Sequence, residues 1–211
     1  MKYYKNPKKR FVYIKQYKVG CSSIEEMFDS SNIRLRGFVQ TPDELRDNYK
    51  EWFKFGIVRN PYDRLVSLYS DKCQKNAKDR IERGDKRLQN CQKVILKALN
   101  KPLEVEQLLT ISFPEFISVI PMIKNKDLHF NPQSPYFIDM KGNCVADKLI
   151  RFENINEELT AILPNLGLRV NSIPHSNSTK HSSYQTYYTD KEINIVRTQY
   201  SADLKNFGYQ F

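Results

Sequence analysis

Several patterns are missing from this chain of 211 residues, and each absence removes a class of function. No apolar run approaches the roughly 18 residues that a membrane span requires. The Lys-rich start at residues 2–10 has no apolar centre of the kind a signal peptide carries. The chain as it stands is therefore expected to be soluble, without a membrane span. Its four cysteines, Cys21, Cys73, Cys91 and Cys144, form no CxxC pair, and none of the three histidines stands at metal-ligand spacing from them. That argues against a structural zinc site, and no metal is expected. Reduced thiols and a cytosolic compartment follow as the default, with a Cys73 to Cys91 bridge as the alternative pairing and a lumenal location if an upstream anchor has been removed. The phosphate-binding pattern GxxxxGK[ST] is also absent, because Lys18 precedes the only glycine of its loop and no acidic strand of the Walker-B kind follows. An ATPase or ATP-dependent kinase loses ground accordingly. There is no internal repeat and no low-complexity stretch.

What is present is a core and a charge. Hydrophobic residues make up 40% of the chain and aromatics 12%, enough for one globular unit at residues 11–211 behind a basic leader at 1–10. Thirty-four Lys and Arg against 24 Asp and Glu give a net charge of +10, which favours an anionic partner without choosing among nucleic acid, nucleotide and acidic glycan.

Two strand-loop-helix units open the chain. Residues 11–16 are β-prone and run into a turn at Gly20. Ser22 and Glu25 then have capping-box spacing, and Ile24, Met27 and Phe28 share one helical face. Residues 52–58 repeat the strand, Asn60 is placed to cap, Pro61 suits the first helical turn, and Leu65, Leu68 and Tyr69 share a face. Such units predict an α/β fold with a parallel sheet, whose ligands bind beyond the carboxyl ends of the strands. Residues 74–92 are dense in charge and read as an exposed helical extension or mobile loop. Further on, Ser112 with Pro114 predicts a helix start, residues 148–152 a strand and 174–183 a polar loop. Thr189 with Glu192 forms a capping box, and Gly208 ends the last helix.

Two segments carry chemistry. In Tyr17-Lys18-Val19-Gly20-Cys21-Ser22-Ser23, a strand delivers a small-residue loop to a helix start, so that amides, hydroxyls and the helix dipole suit a phosphate. In the second, residues 55–67, Arg59 lies at a strand end and Ser67 two turns into the next helix. Arg suits bidentate phosphate binding, and a serine hydroxyl adds one hydrogen bond. The plain structural alternatives are a surface Lys18, a turn-forming Gly20 and an Arg59 paired with Asp63.

The two segments resemble the 5′-phosphosulfate loop and the 3′-phosphate motif of sulfotransferases that use 3′-phosphoadenosine 5′-phosphosulfate (PAPS), above all the Golgi-type carbohydrate group. Lys18, Gly20, Cys21, Ser22, Ser23, Arg59, Pro61, Arg64 and Ser67 match. His129-Phe130-Asn131-Pro132-Gln133, Arg151-Phe152-Glu153, residues 177–188 and the closing run from Tyr200 to Tyr209 resemble later motifs of the same group, in the same order. Tyr17 departs from the proline usual there. Residues 25–54 contain no histidine, although some relatives draw their base from that stretch.

The resemblance implies a P-loop-like three-layer fold with a central parallel sheet flanked by helices. It also implies transfer of a sulfuryl group from PAPS to a hydroxyl of a carbohydrate or glycoconjugate, with 3′-phosphoadenosine 5′-phosphate (PAP) as product and no metal. Lys18 and the amides of Val19, Gly20, Cys21, Ser22 and Ser23 would hold the 5′-phosphosulfate and Arg59 and Ser67 the 3′-phosphate, while Lys180 and His181 in the polar loop either close over the nucleotide or are surface residues. The acceptor hydroxyl needs a base. His129 heads the candidates, since an imidazole titrates near neutral pH, with Asp43, Glu44 and Glu26 as rivals. A basic nucleic-acid-binding module and a nucleotide-dependent kinase are the competing readings, to be separated by binding of oligonucleotide, of ATP with magnesium, or of PAP.

Overall fold

The computed structural model describes residues 2–168 and 182–211. The chain divides into two compact units, Met1–Arg59 with Gln133–Ser178, and Asn60–Pro132 with Thr179–Phe211. Each is taken by itself.

The first unit is built on a five-stranded mixed sheet in the order β3-β1-β2-β4-β5. Strands β2 (Phe11–Ile14), β4 (Phe53–Val58) and β5 (Lys148–Arg151) run parallel, with Phe11 opposite Phe53 and Phe55 opposite Lys148. The other two, β1 (Lys2–Asn6) and β3 (Arg36–Val39), are antiparallel additions. The basic leader is thus a sheet strand. Its Lys residues flank Tyr3, which is fully buried and donates its hydroxyl to the carbonyl of Tyr136 at 3.1 Å. The lysines hid that apolar anchor from the sequence pattern, and the expected parallel sheet gained an antiparallel edge.

Alternation along the strands sends Phe11, Tyr13, Phe55, Ile57 and Ile150 to one face. There they meet Ile24, Met27 and Phe28 of helix α1 (Cys21–Ser30) and Leu159 and Ile162 of α9 (Ile155–Ile162). On the other face Gly56 lies under the ring of Phe137. A Cβ there would meet Phe137 Cζ at 2.7 Å and the Ile14 carbonyl at 2.9 Å, so the close approach requires glycine. A short helix, α2 (Pro42–Asn48), completes the unit and starts with a capping box between Thr41 and Glu44.

The second unit is helical. It contains α3 (Pro61–Tyr69), a π-helical turn at Ser70–Lys75, α4 (Asn76–Glu82), α5 (Asn90–Ala98), α6 (Glu106–Leu109), α7 (Phe113–Ser118), α8 (Ile120–Ile123), α10 (Asp190–Gln199) and α11 (Ser201–Phe207). Asn60 caps α3 by accepting from the Tyr62 amide at 3.1 Å, Ser112 with Glu115 and Thr189 with Glu192 form the capping boxes of α7 and α10, and Gly208 ends α11 at φ 64°. Leu65, Leu68, Ile95, Phe116, Phe130 and Val196 lie in its core. The charge-dense segment at 74–92 folds in part into α4, because Ala77 is buried beneath it. Cys73 and Cys91 are buried free thiols, and Cys21 and Cys144 are free as well. No helix among the described residues is long and apolar enough to cross a membrane.

Candidate functional site

Because β2 and β4 are parallel neighbours, the loops that follow them leave the same edge of the sheet. The loop after β2 turns twice through the left-handed region, at Lys18 (φ 64°) and Gly20 (φ 81°). For Lys18 that conformation costs about 1–2 kcal/mol. The loop holds it because Val19, between the two, is fully buried. Helix α1 then begins with Gly20 as N-cap. Among the described residues no side-chain cap bond forms, and no acidic residue occupies the first turn. The expected Ser22–Glu25 capping box is not made, because Glu25 turns instead to an ion pair with Lys15. The helix dipole at the start of α1 favours negative charge, and no acidic residue in the first turn offsets it.

Arg59, the residue after β4, is 6% exposed. Its Nη1 donates to the Lys18 carbonyl at 3.0 Å, and its guanidinium stacks over the Phe152 ring at 4.2 Å. Its backbone is clamped from both sides by Gln133, which accepts from the Arg59 amide at 3.0 Å and donates to the Arg59 carbonyl at 2.9 Å. A Cβ on Gly20 would meet Phe152 and Ile155 at 3.2 Å, so the loop lies against the same ring. Three separate segments of the sequence therefore converge on Arg59 in the first unit: the 17–23 loop, Gln133 and Phe152. Gln133 and Phe152 had no role assigned from sequence. Their positions beside a histidine-aromatic-x-Pro segment and a strand end were the signal.

Ser67, Arg64 and His129 belong to the second unit. Ser67 is 2% exposed, two turns into α3. Arg64 is 1% exposed, donates Nη2 to the Asn131 carbonyl at 2.7 Å and lies over Tyr200 at 5.6 Å. Tyr200 in turn donates to the Phe130 carbonyl at 2.7 Å. Among the described residues the Arg64 Nε and Nη1 have no hydrogen-bond partner. This arginine fastens α3 and α10 to the 129–131 segment.

His129 Nδ1 lies 2.6 Å from Asp127 Oδ1, which also accepts the His129 amide at 3.0 Å. Asn90 Nδ2 donates to the other carboxylate oxygen at 2.7 Å. Burial pushes the Asp127 carboxyl up, but these hydrogen bonds outweigh it and hold the group below the usual carboxylate range. The Cys91 thiol comes close enough that Cys91, Asp127 and His129 place one ligand atom each within 4.8 Å of one another. Burial pushes the Cys91 thiol up to about 11, against the opposing charge of Lys72. The Asp127 partner was missed in the sequence. An aspartate two residues before a histidine is the pattern of a turn in which the carboxylate bonds the backbone two residues on.

Two of the three rival carboxylates are engaged in structure. Glu44 Oε2 accepts from the Thr41 amide at 2.7 Å, and Asp43 accepts from the Met140 amide at 3.1 Å and pairs with Arg46 at 3.2 Å. Glu26 is exposed on α1. Lys180 and His181 lie outside the described residues.

A match to the model of the sulfotransferase family runs over residues 2–210. The chain belongs to the sulfotransferase family. Among curated proteins it is similar to carbohydrate sulfotransferase 10 of Xenopus laevis, 24% identical over 192 residues, covering 84% of this chain and 52% of that protein. The Homo sapiens carbohydrate sulfotransferase 10 is 25% identical over 182 residues, covering 79% of this chain and 49% of that one. The chain thus spans about half the length of the curated relatives it matches. No solved structure matches it significantly. The family assignment leaves the nucleic-acid-binding and kinase readings without support, and it extends across β1, which the motif-based resemblance had left out.

Proposed function

We propose that this protein transfers a sulfuryl group from PAPS to a hydroxyl of a carbohydrate or glycoconjugate. The observation that carries the reading is the uncapped, acid-free start of α1 joined to Arg59 through the Lys18 carbonyl, a donor set suited to a nucleotide bearing phosphates. The names of the curated relatives support the carbohydrate half.

When bound, PAPS would supply an activated sulfuryl group on a phosphate leaving group. The amides from Val19 to Ser23 receive the phosphosulfate, and the Lys18 ammonium offsets charge that builds on the departing oxygen, the form of electrostatic assistance that matters most where charge develops. Arg59, with its backbone fixed by Gln133 and its face supported by Phe152, presents charge to the 3′-phosphate, a group for which the family resemblance also names the Ser67 hydroxyl. The transfer needs an in-line acceptor and little covalent work from the protein, so positioning and charge do most of it. His129 serves as the base. Asp127 holds Nδ1 and orients the ring, which places the basic lone pair of that tautomer on Nε2 to take the acceptor proton as the oxygen–sulfur bond forms.

Transfer of labelled sulfate from PAPS across a glycan panel tests donor and acceptor together. Wild-type protein is expected to label at least one glycan, and Lys18→Ala to lower that rate by about 100-fold. His129→Ala should lower turnover while PAP binds as before. No labelled product from the wild type would overturn the reading. An unchanged rate in His129→Ala would move the base to Asp43, Glu44 or Glu26.

A further inference from the structure

Cys91 sits in the first turn of α5, while Asp127 and His129 lie in the segment after α8, so no local spacing in the sequence joins them. The second unit nonetheless brings a thiol, a carboxylate oxygen and an imidazole nitrogen within 4.8 Å of one another. Each of these is a zinc ligand. Around a tetrahedral zinc such atoms lie about 3.3–3.6 Å apart, so binding would part the hydrogen-bonded His129 and Asp127 atoms from 2.6 Å and needs only small side-chain shifts within the present 4.8 Å. Asn90 holds one oxygen of Asp127 at 2.7 Å and so turns the other inward, as the outer partners of metal ligands commonly do. The side chains of Asp127 and His129 are 12% and 22% exposed, which gives an ion a way in to the buried sulfur.

We propose that Cys91, Asp127 and His129 form a site for a single Zn²⁺ ion. Sulfur and imidazole together select a borderline-soft ion over magnesium or calcium. Three protein ligands leave a fourth position to solvent, the pattern of an exchangeable ion and not of a closed structural site. On binding, the Cys91 thiol gives its proton to solvent. The proton on His129 Nδ1, now replaced by the metal, is taken up at Nε2. The site therefore consumes the Nε2 lone pair of the proposed base. Zinc is an inhibitor of this protein, and that consequence rests on the reading of His129 given above.

Cobalt(II) is the probe, added to the full chain with any affinity tag removed. Wild-type protein is expected to bind one Co²⁺ with a thiolate-to-cobalt charge-transfer band that Zn²⁺ abolishes by displacement. Cys91→Ser should lack the band while keeping its far-ultraviolet circular dichroism, and Asp127→Asn should bind Zn²⁺ at least about tenfold more weakly. Absence of the band in wild type, or its persistence in Cys91→Ser, overturns the site. Should Cys91→Ser fail to fold, undiminished Zn²⁺ affinity in Asp127→Asn overturns it equally. In the transfer assay, zinc should inhibit wild type reversibly on chelation and leave Cys91→Ser active. A thiolate band with no loss of transfer would uphold the metal site and overturn His129 as the base.

Discussion

Arg59 and Arg64 stand five residues apart in one motif, yet the two units use them in opposite ways. In the first unit Arg59 ends a strand, its backbone is clamped by Gln133, and its guanidinium meets a loop carbonyl and an aromatic face at the start of an uncapped helix. In the second unit Arg64 is enclosed by Asn131 and Tyr200, with two donors that have no hydrogen-bond partner among the described residues. The sequence presents both as cations of a phosphate motif. Both are buried, so what separates them is what each guanidinium meets, a loop carbonyl before a helix start or the packed interior of a helical unit, and a motif alone does not state which member does which.

The contrast can be broken most forcefully at Arg64. Arg64→Ala removes a large buried side chain and leaves the Asn131 carbonyl without its donor, so unfolding free energy measured in urea should fall by about 3 kcal/mol. A loss below about 1 kcal/mol would mean that Arg64 is not a packing element. The first unit is vulnerable to added volume instead. Gly56→Ala presses a methyl into the Phe137 ring and the Ile14 carbonyl, and should cost about 2 kcal/mol in the same measurement. A neutral Gly56→Ala would show that the Phe137 segment yields.

Much of this was legible in the sequence because local rules were enough. Asn60 and Thr189 cap where their spacing says, and the strands at 11–14 and 53–58 carry β-prone residues between turn signals. Where the reading fell short, a partner distant in the chain had overridden the local rule. Ser22 and Glu25 have capping-box spacing, but Lys15 takes Glu25. Residues 2–6 look like a solvated basic run, but pairing with both β2 and β3 and burial of Tyr3 make them a strand. The site followed the same division. Lys18 and Arg59 stand out in local pattern, whereas the Gln133 clamp, the Phe152 face and the gathering of Cys91 with Asp127 and His129 depend on contacts between residues far apart in sequence.

The central claim is that the loop after β2 and Arg59 form the nucleotide site, and calorimetric titration with PAP tests it most directly. Wild-type protein should bind one PAP without magnesium, and Arg59→Ala should bind it about 10–100-fold more weakly, the worth of a hydrogen-bonded charge. Wild-type protein that ignores PAP, or an Arg59→Ala variant that binds it with unchanged affinity, would contradict the account.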